Sequence, residues 1–196
     1  MDDLICGKLD IRELAEWISQ CDDLKHLEFN ANCPFDILQK LNAKLVYLKT
    51  EVTLADKNLS LVRSFSNLRF IHIRLEEIIW DDPSQREKIF LEAVVKLEGL
   101  ETLILENFSL ELKVIAKELE KGQLKCLEYL AIPYISYFST RYISSDVEYV
   151  SRIVRVLRSL RYLKFDDTYD VLGLIDNFIQ SVSPPYPYIT FLTSQL

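Results

Sequence analysis

Residues 67–75 read NLRFIHIRL. Leu68, Ile71 and Ile73 are apolar, while Phe70, His72 and Arg74 stand between and after them. In a strand, successive side chains point to opposite faces, so Ile71 and Ile73 share one side and Phe70, His72 and Arg74 share the other. One such fragment decides little. Reduced to L-x-x-[LI]-x-[ILF], however, it recurs five more times: LKHLEF from Leu24, LVYLKT from Leu45, LETLIL from Leu100, LEYLAI from Leu127 and LRYLKF from Leu160. In chain order the six copies are separated by 21, 23, 32, 27 and 33 residues. Thr50 weakens the last position of the second copy. Self-similarity at intervals of this size is the mark of a repeat architecture, in which each unit buries its apolar face against the next.

Helical patterns lie between the copies. SLELKVIAKELEKG places Leu112, Ile115, Ala116 and Leu119 on one face, with Gly122 in a helix-ending position. Pro83 precedes SQREKIFLEAVVKLEG and suits a first helical turn. Ser145 and Glu148 are spaced as a capping box before VEYVSRIVRVLRS, and Asp10 and Glu13 are similarly placed for IRELAEWISQC. Strands alternating with helices must run parallel, because a hairpin cannot join them. A doubly wound sheet would bury both faces and read as continuous apolar runs. Here the odd positions carry His26, Glu28, Tyr47, Lys49, Phe70, His72, Tyr162 and Lys164. One face is therefore expected to be open, with all the helices on the other.

These repeats resemble the leucine-rich repeat family, whose consensus is L-x-x-L-x-L-x-x-[NC]-x-L. The resemblance covers residues 24 to 182, and the long helical linkers are similar to those of ribonuclease-inhibitor and F-box-associated repeats. It implies an α/β fold: a right-handed solenoid or horseshoe, with a parallel sheet on the concave face and helices on the convex face. Residues 1–22 would supply an N-terminal capping helix, 23–182 six strand–helix repeats and 183–196 an extended tail, all in one domain. The chain departs from the consensus at the turn asparagine, matched only by Asn32. Thr53, Glu76, Phe108, Ile135 and Thr168 stand in the other copies, so their turns need other hydrogen-bond partners.

Aligned on the leading leucine, the third position of the repeat reads His26, Tyr47, Phe70, Thr102, Tyr129, Tyr162. The fifth reads Glu28, Lys49, His72, Ile104, Ala131, Lys164, and the seventh Asn30, Glu51, Arg74, Glu106, Pro133, Asp166. Parallel neighbours about 4.8 Å apart turn these rows into ladders. Aromatic rings interleaved with charges suit protein recognition, and the same rings can instead serve only to stabilise the sheet. The candidate partner-binding residues are Tyr47, Lys49, Phe70, His72, Arg74, Tyr129, Tyr162 and Lys164.

Three other stretches stand out. The segment 133–145, PYISYFSTRYISS, is rich in tyrosine and is either a functional loop or filler. Arg152, Arg155, Arg158 and Arg161 recur every third residue in an acidic chain, as an anion or acidic-partner site or as a solvated face. The tail SPPYPYITFLTSQL covers the end of the last repeat, serves as a partner motif or stays disordered.

Composition narrows the class. With 49% hydrophobic and 27% charged residues, the 196-residue chain has the make-up of a folded protein. A net charge of −7 argues against general nucleic-acid affinity. The N-terminal stretch has neither a basic start nor an apolar run, so neither a secretory leader nor a membrane span is expected. Cys6, Cys21, Cys33 and Cys126 form no metal-type pair and fit a reducing, cytoplasmic setting (nuclear in a eukaryote). Phosphate-loop, dinucleotide, zinc-protease and nucleophile-elbow motifs are absent. His26 and His72 lie two strands apart, too far to share a metal. Glu76, Glu77, Asp81 and Asp82 could attract a cation but read more simply as loop charges. No cofactor and no metal are expected. The sequence therefore points to a non-catalytic scaffold or adaptor that binds another protein, as a monomer or a weak oligomer through a terminal strand. A sensor or enzyme using the aromatic face, and a self-assembling structural protein, are the alternatives.

Overall fold

The computed structural model describes residues 3–5, 18, 20–21, 23–32, 44–52, 59–75, 84–133, 143–166, 171–181 and 189–193. They form an open, all-parallel sheet of eight strands in strict chain order: β1 Asp3–Ile5, β2 His26–Asn32, β3 Tyr47–Val52, β4 Phe70–Leu75, β5 Thr102–Glu106, β6 Tyr129–Pro133, β7 Tyr162–Asp166 and β8 Thr190–Thr193. Among the described residues the helices are α1 Ser84–Val94, α2 Leu112–Lys121, α3 Ile143–Val156 and α4 Val171–Ser181, with a 3-10 turn at Leu59–Ser64 before β4. The chain is thus α/β, and each of the six leucine-led copies supplies one strand.

The leading leucines explain the spacing. Leu24, Leu45, Leu68, Leu100, Leu127 and Leu160 are all buried just ahead of their strands. At the same level, one backbone carbonyl of each unit receives two N–H groups of the next. Val46 and Tyr47 donate to Lys25, Arg69 and Phe70 to Val46, Glu101 and Thr102 to Arg69, Glu128 and Tyr129 to Glu101, and Arg161 and Tyr162 to Glu128, all at 2.8–3.1 Å. This recurring bond fixes the register of each strand on its predecessor.

Alternation then sorts the faces. Leu48, Ile71, Ile73, Leu103, Leu105, Leu130, Ile132, Leu163 and Phe165 are buried in one apolar cluster, which also takes in Leu91 and Val94 of α1, Ile115 and Leu119 of α2, Val150 and Ile153 of α3 and Leu174 of α4. Consecutive helices touch one another along that side. The opposite face carries the odd-numbered rows and is half-buried or exposed over most of its area. Ala131, at 1% exposure, and Pro133 are exceptions, buried on that otherwise open side. Ala131 offers a single methyl flanked across the sheet by Ile104 and Lys164.

Several expectations need correction. The sheet has two more strands than the six copies. Register pairs Leu4 with Leu27 and Phe191 with Leu163, so β1 and β8 extend the sheet at its two ends with Leu4 and Phe191 in line with the inward leucines. The seventh-position row does not include Asn30: β2 carries an irregularity between Phe29 and Asn32, and Asn32 pairs with Glu51 instead. Inserted residues of this kind shift everything after them. Helix α3 begins at Ile143, so Ser145 lies within it and is not its N-cap. Of the proposed N-terminal helix, Ile18 and Gln20 are helical and Ile18 is buried. Residues 6–17, residues 134–142 of the tyrosine-rich segment, the acidic group from Glu76 to Asp82 and residues 182–188 lie outside the described residues.

The turn after β5 shows how a missing consensus asparagine is replaced. Phe108 occupies the consensus place and is buried. Its predecessor Asn107 has a positive φ of 60° and donates from Nδ2 to the Leu75 carbonyl at 3.1 Å, tying this turn to the preceding strand. Asparagine is among the few residues that tolerate this backbone region.

Gly122 does end α2, but for a different reason from the expected one. Its φ is −81°, so no left-handed turn requires glycine. A Cβ there would lie 2.6 Å from Val95 Cβ and 2.7 Å from the Val95 carbonyl oxygen. That carbonyl also receives the Gln123 N–H at 2.7 Å, so it cannot retreat without breaking a bond. Gly122→Ala is expected to lower stability by about 1–3 kcal/mol through overpacking, measured as a shift in urea midpoint. A neutral or stabilising effect would show that α1 and α2 can separate freely.

Candidate functional site

The site is assembled by register alone. Pairing runs His26–Tyr47–Phe70–Thr102–Tyr129–Tyr162–Thr190 across seven strands. The next row runs Glu28–Lys49–His72–Ile104–Ala131–Lys164, and Glu51–Arg74–Glu106 lies beyond it. All eight candidate residues fall on the open face: Tyr47, Phe70, Tyr129 and Tyr162 in the first row, Lys49, His72 and Lys164 in the second, and Arg74 in the third.

The rings make two groups. His26 and Tyr47 stack with centroids 5.6 Å apart and planes 9° from parallel; Tyr47 and Phe70 stack at 4.2 Å and 10°. Tyr129 and Tyr162 meet at 6.2 Å with a 37° tilt. Thr102 separates the groups. A stacked pair is worth about 0.5–1.5 kcal/mol beyond area burial, so these rings stiffen the sheet while leaving part of their area accessible. Tyr162 is 43% exposed.

The charges beside the rings are largely paired from strand to strand. Lys49 Nζ donates to Glu28 Oε1 at 2.7 Å. His72 Nε2 lies 2.9 Å from Glu106 Oε1, and Arg74 Nη1 lies 3.5 Å from Glu51 Oε1. The hydrogen bond that Lys49 donates to Glu28 raises the Lys49 pKa above the usual lysine value. Burial, reinforced by the Glu28 charge, raises that of the Tyr47 hydroxyl, which therefore stays protonated at neutral pH. Three fixed cations (Lys49, Arg74, Lys164) balance three carboxylates (Glu28, Glu51, Glu106), so these rows are close to neutral within a chain of charge −7.

Alignment of the copies brought these residues to one face, but it could not supply the pairings. The His72–Glu106 contact joins the fifth position of one repeat to the seventh of the next. Of the arginine series, Arg152 is held by Glu120 on α2, with Nε 2.6 Å from Oε1, and sits 5.6 Å from the Tyr149 ring centroid. The same fork holds the Glu120 carboxyl below the ordinary carboxylate range. Arg152 thus serves helix packing, and the four arginines do not form one stripe.

No family model matches the chain, and no curated protein matches it significantly. Among the described residues, no helix is long and apolar enough to cross a membrane.

Proposed function

We propose that the chain is a leucine-rich-repeat-like solenoid, a right-handed horseshoe with its sheet on the concave side. Its role would be that of a non-catalytic protein-interaction scaffold or adaptor of the cytoplasm. The observation that carries this reading is the first row of the open face: stacked, partly accessible rings on adjacent strands, flanked by charges already neutralised by their neighbours. Rigid rings give large contact area with little entropy lost on binding. Pre-paired charges favour an aromatic and apolar contact over a purely electrostatic one. The residues proposed to meet the partner are Tyr47, Phe70, Tyr129 and Tyr162, with Lys49, His72, Arg74 and Lys164 setting orientation and association rate.

The test is the combined Tyr47→Ala, Phe70→Ala, Tyr129→Ala variant. A partner recovered from native lysate with the wild-type chain is purified and titrated against both proteins, with thermal melts in parallel. Affinity is expected to fall by about tenfold per true anchor, or roughly 1–2 kcal/mol each, while the melt stays cooperative. A folded variant with undiminished affinity would move the interface off this face. Loss of folding would assign the rings to sheet stability instead.

A further inference from the structure

The arginine series leaves Arg158 and Arg161 unexplained by helix packing. Both lie in the turn between α3 and β7. There they line an open cavity of about 520 Å³ together with Glu128, Tyr162 and Thr190. Ligand cavities commonly measure roughly 300–1,000 Å³.

The surrounding ion pairs explain why positive charge is left over. Along the N-terminal ends of the strands, neighbouring units pair their charges: Lys44 with Asp23 at 3.1 Å, Arg69 with Glu101 at 3.1 Å and Lys125 with Glu98 at 3.5 Å. Arg158 follows Glu98 and Lys125 at the same place in the repeat. Glu98 is already engaged by Lys125, and Arg158 has no ion-pair partner among the described residues. Arg161 stands 3.9 Å from Glu128, a contact longer than the roughly 2.7–2.9 Å of a charge-assisted hydrogen bond, so its fork remains available. The Ser159 hydroxyl donates to the Lys125 carbonyl at 2.7 Å, which fixes the turn carrying both arginines.

We propose that this cavity binds a phosphate group, carried by a small molecule with a flat apolar portion. Two guanidinium forks exceed what a single carboxylate can satisfy, since its two oxygens fill one fork. A phosphate offers enough oxygens for both. Tyr162 also lines the cavity and is 43% exposed, so it offers an aromatic ring on which a ring of the ligand can stack. The site does not depend on the protein-binding reading of the open face, although Tyr162 borders both.

Titrations at fixed ionic strength, followed through arginine side-chain NMR signals, test this with three probes: phenyl phosphate, inorganic phosphate and acetate. Phenyl phosphate is expected to bind about threefold to tenfold more tightly than inorganic phosphate, and acetate not measurably. Arg158→Ala combined with Arg161→Ala should weaken both phosphates by about tenfold or more. Tyr162→Ala should remove only the advantage of the phenyl ester. Glu128→Gln, which removes the opposing charge, should tighten both by about threefold. Arg152→Ala, whose fork belongs to Glu120, should change nothing. Equal binding of phenyl phosphate and free phosphate by the wild type would reduce the site to a bare phosphate site and overturn the ring-bearing ligand. The whole proposal fails if phosphate and acetate bind alike, if the double arginine variant binds normally, or if Arg152→Ala has the larger effect.

Discussion

Leu103→Ala, Leu130→Ala and Leu163→Ala are each expected to lose about 2–5 kcal/mol. For a chain of this size that is a fall of roughly 4–20 °C in Tm. The three leucines hold the same place in successive units, all are 0% exposed, and they face one another along β5, β6 and β7. Truncating one leaves a cavity between sheet and helices that its neighbours cannot close, because each neighbouring strand is pinned by the doubly accepted carbonyl at its start. In an array where units contact only their neighbours, an internal site loses contacts on both sides. Lys113→Ala, at an exposed position of α2, provides the comparison and should stay within about 0.5 kcal/mol of wild type. If all three leucine variants melted no lower than Lys113→Ala, the inward assignment of these positions would be wrong.

The leucine ladder was readable from sequence because two independent signals coincide in it: the two-residue alternation of a strand and recurrence at intervals of 21 to 33 residues. Where either signal weakens, structure escapes the reading. Strand β8 carries Phe191 where the other copies have leucine or isoleucine, and β1 has only Leu4 in place, so a search led by leucine passes over both. The irregularity in β2 leaves no trace in HLEFNAN, since either register sets polar residues beyond Phe29. Asn107 does the work of a turn asparagine one residue before its consensus place, and a fixed template reads Phe108 there. The open face divides in the same way. Which residues share it follows from register and was legible. Which charges neutralise one another depends on side-chain reach across strands, as His72 to Glu106 shows, and alternation carries no information about that. The cavity beside Arg158 and Arg161 depends on how α3 hands over to β7, which the three-residue spacing of the arginines does not specify.

Glu87 is the least legible of the residues that hold the fold together, and removing it should have the next largest effect. In SQREKIF it reads as an acid in the first turn of a helix, a favourable but minor surface role. Instead it is 1% exposed, and its carboxylate accepts the Ser109 N–H on both oxygens, at 3.0 and 2.9 Å, and the Ser109 hydroxyl at 2.9 Å. It therefore ties α1 to the turn between β5 and α2, 22 residues further on. Burial raises its pKa above the ordinary carboxylate value, outweighing the hydrogen bonds from Ser109 and Leu110, which act in the opposite direction. A folded-state carboxyl that holds its proton more tightly than the unfolded chain contributes stability in full below the unfolded value of about 4.3. That contribution is lost as pH rises through the folded value. Glu87→Ala leaves buried donors without an acceptor and should lower stability by about 2–4 kcal/mol. Glu87→Gln keeps one acceptor oxygen and abolishes the titration, so its deficit relative to wild type should be larger at pH 4.5 than at pH 8. Urea midpoints of the three proteins at both pH values provide the measurement. A Glu87→Gln deficit that grew as pH rose would mean that hydrogen bonding to the ionised carboxylate outweighs its burial, and the sign of the argument would reverse.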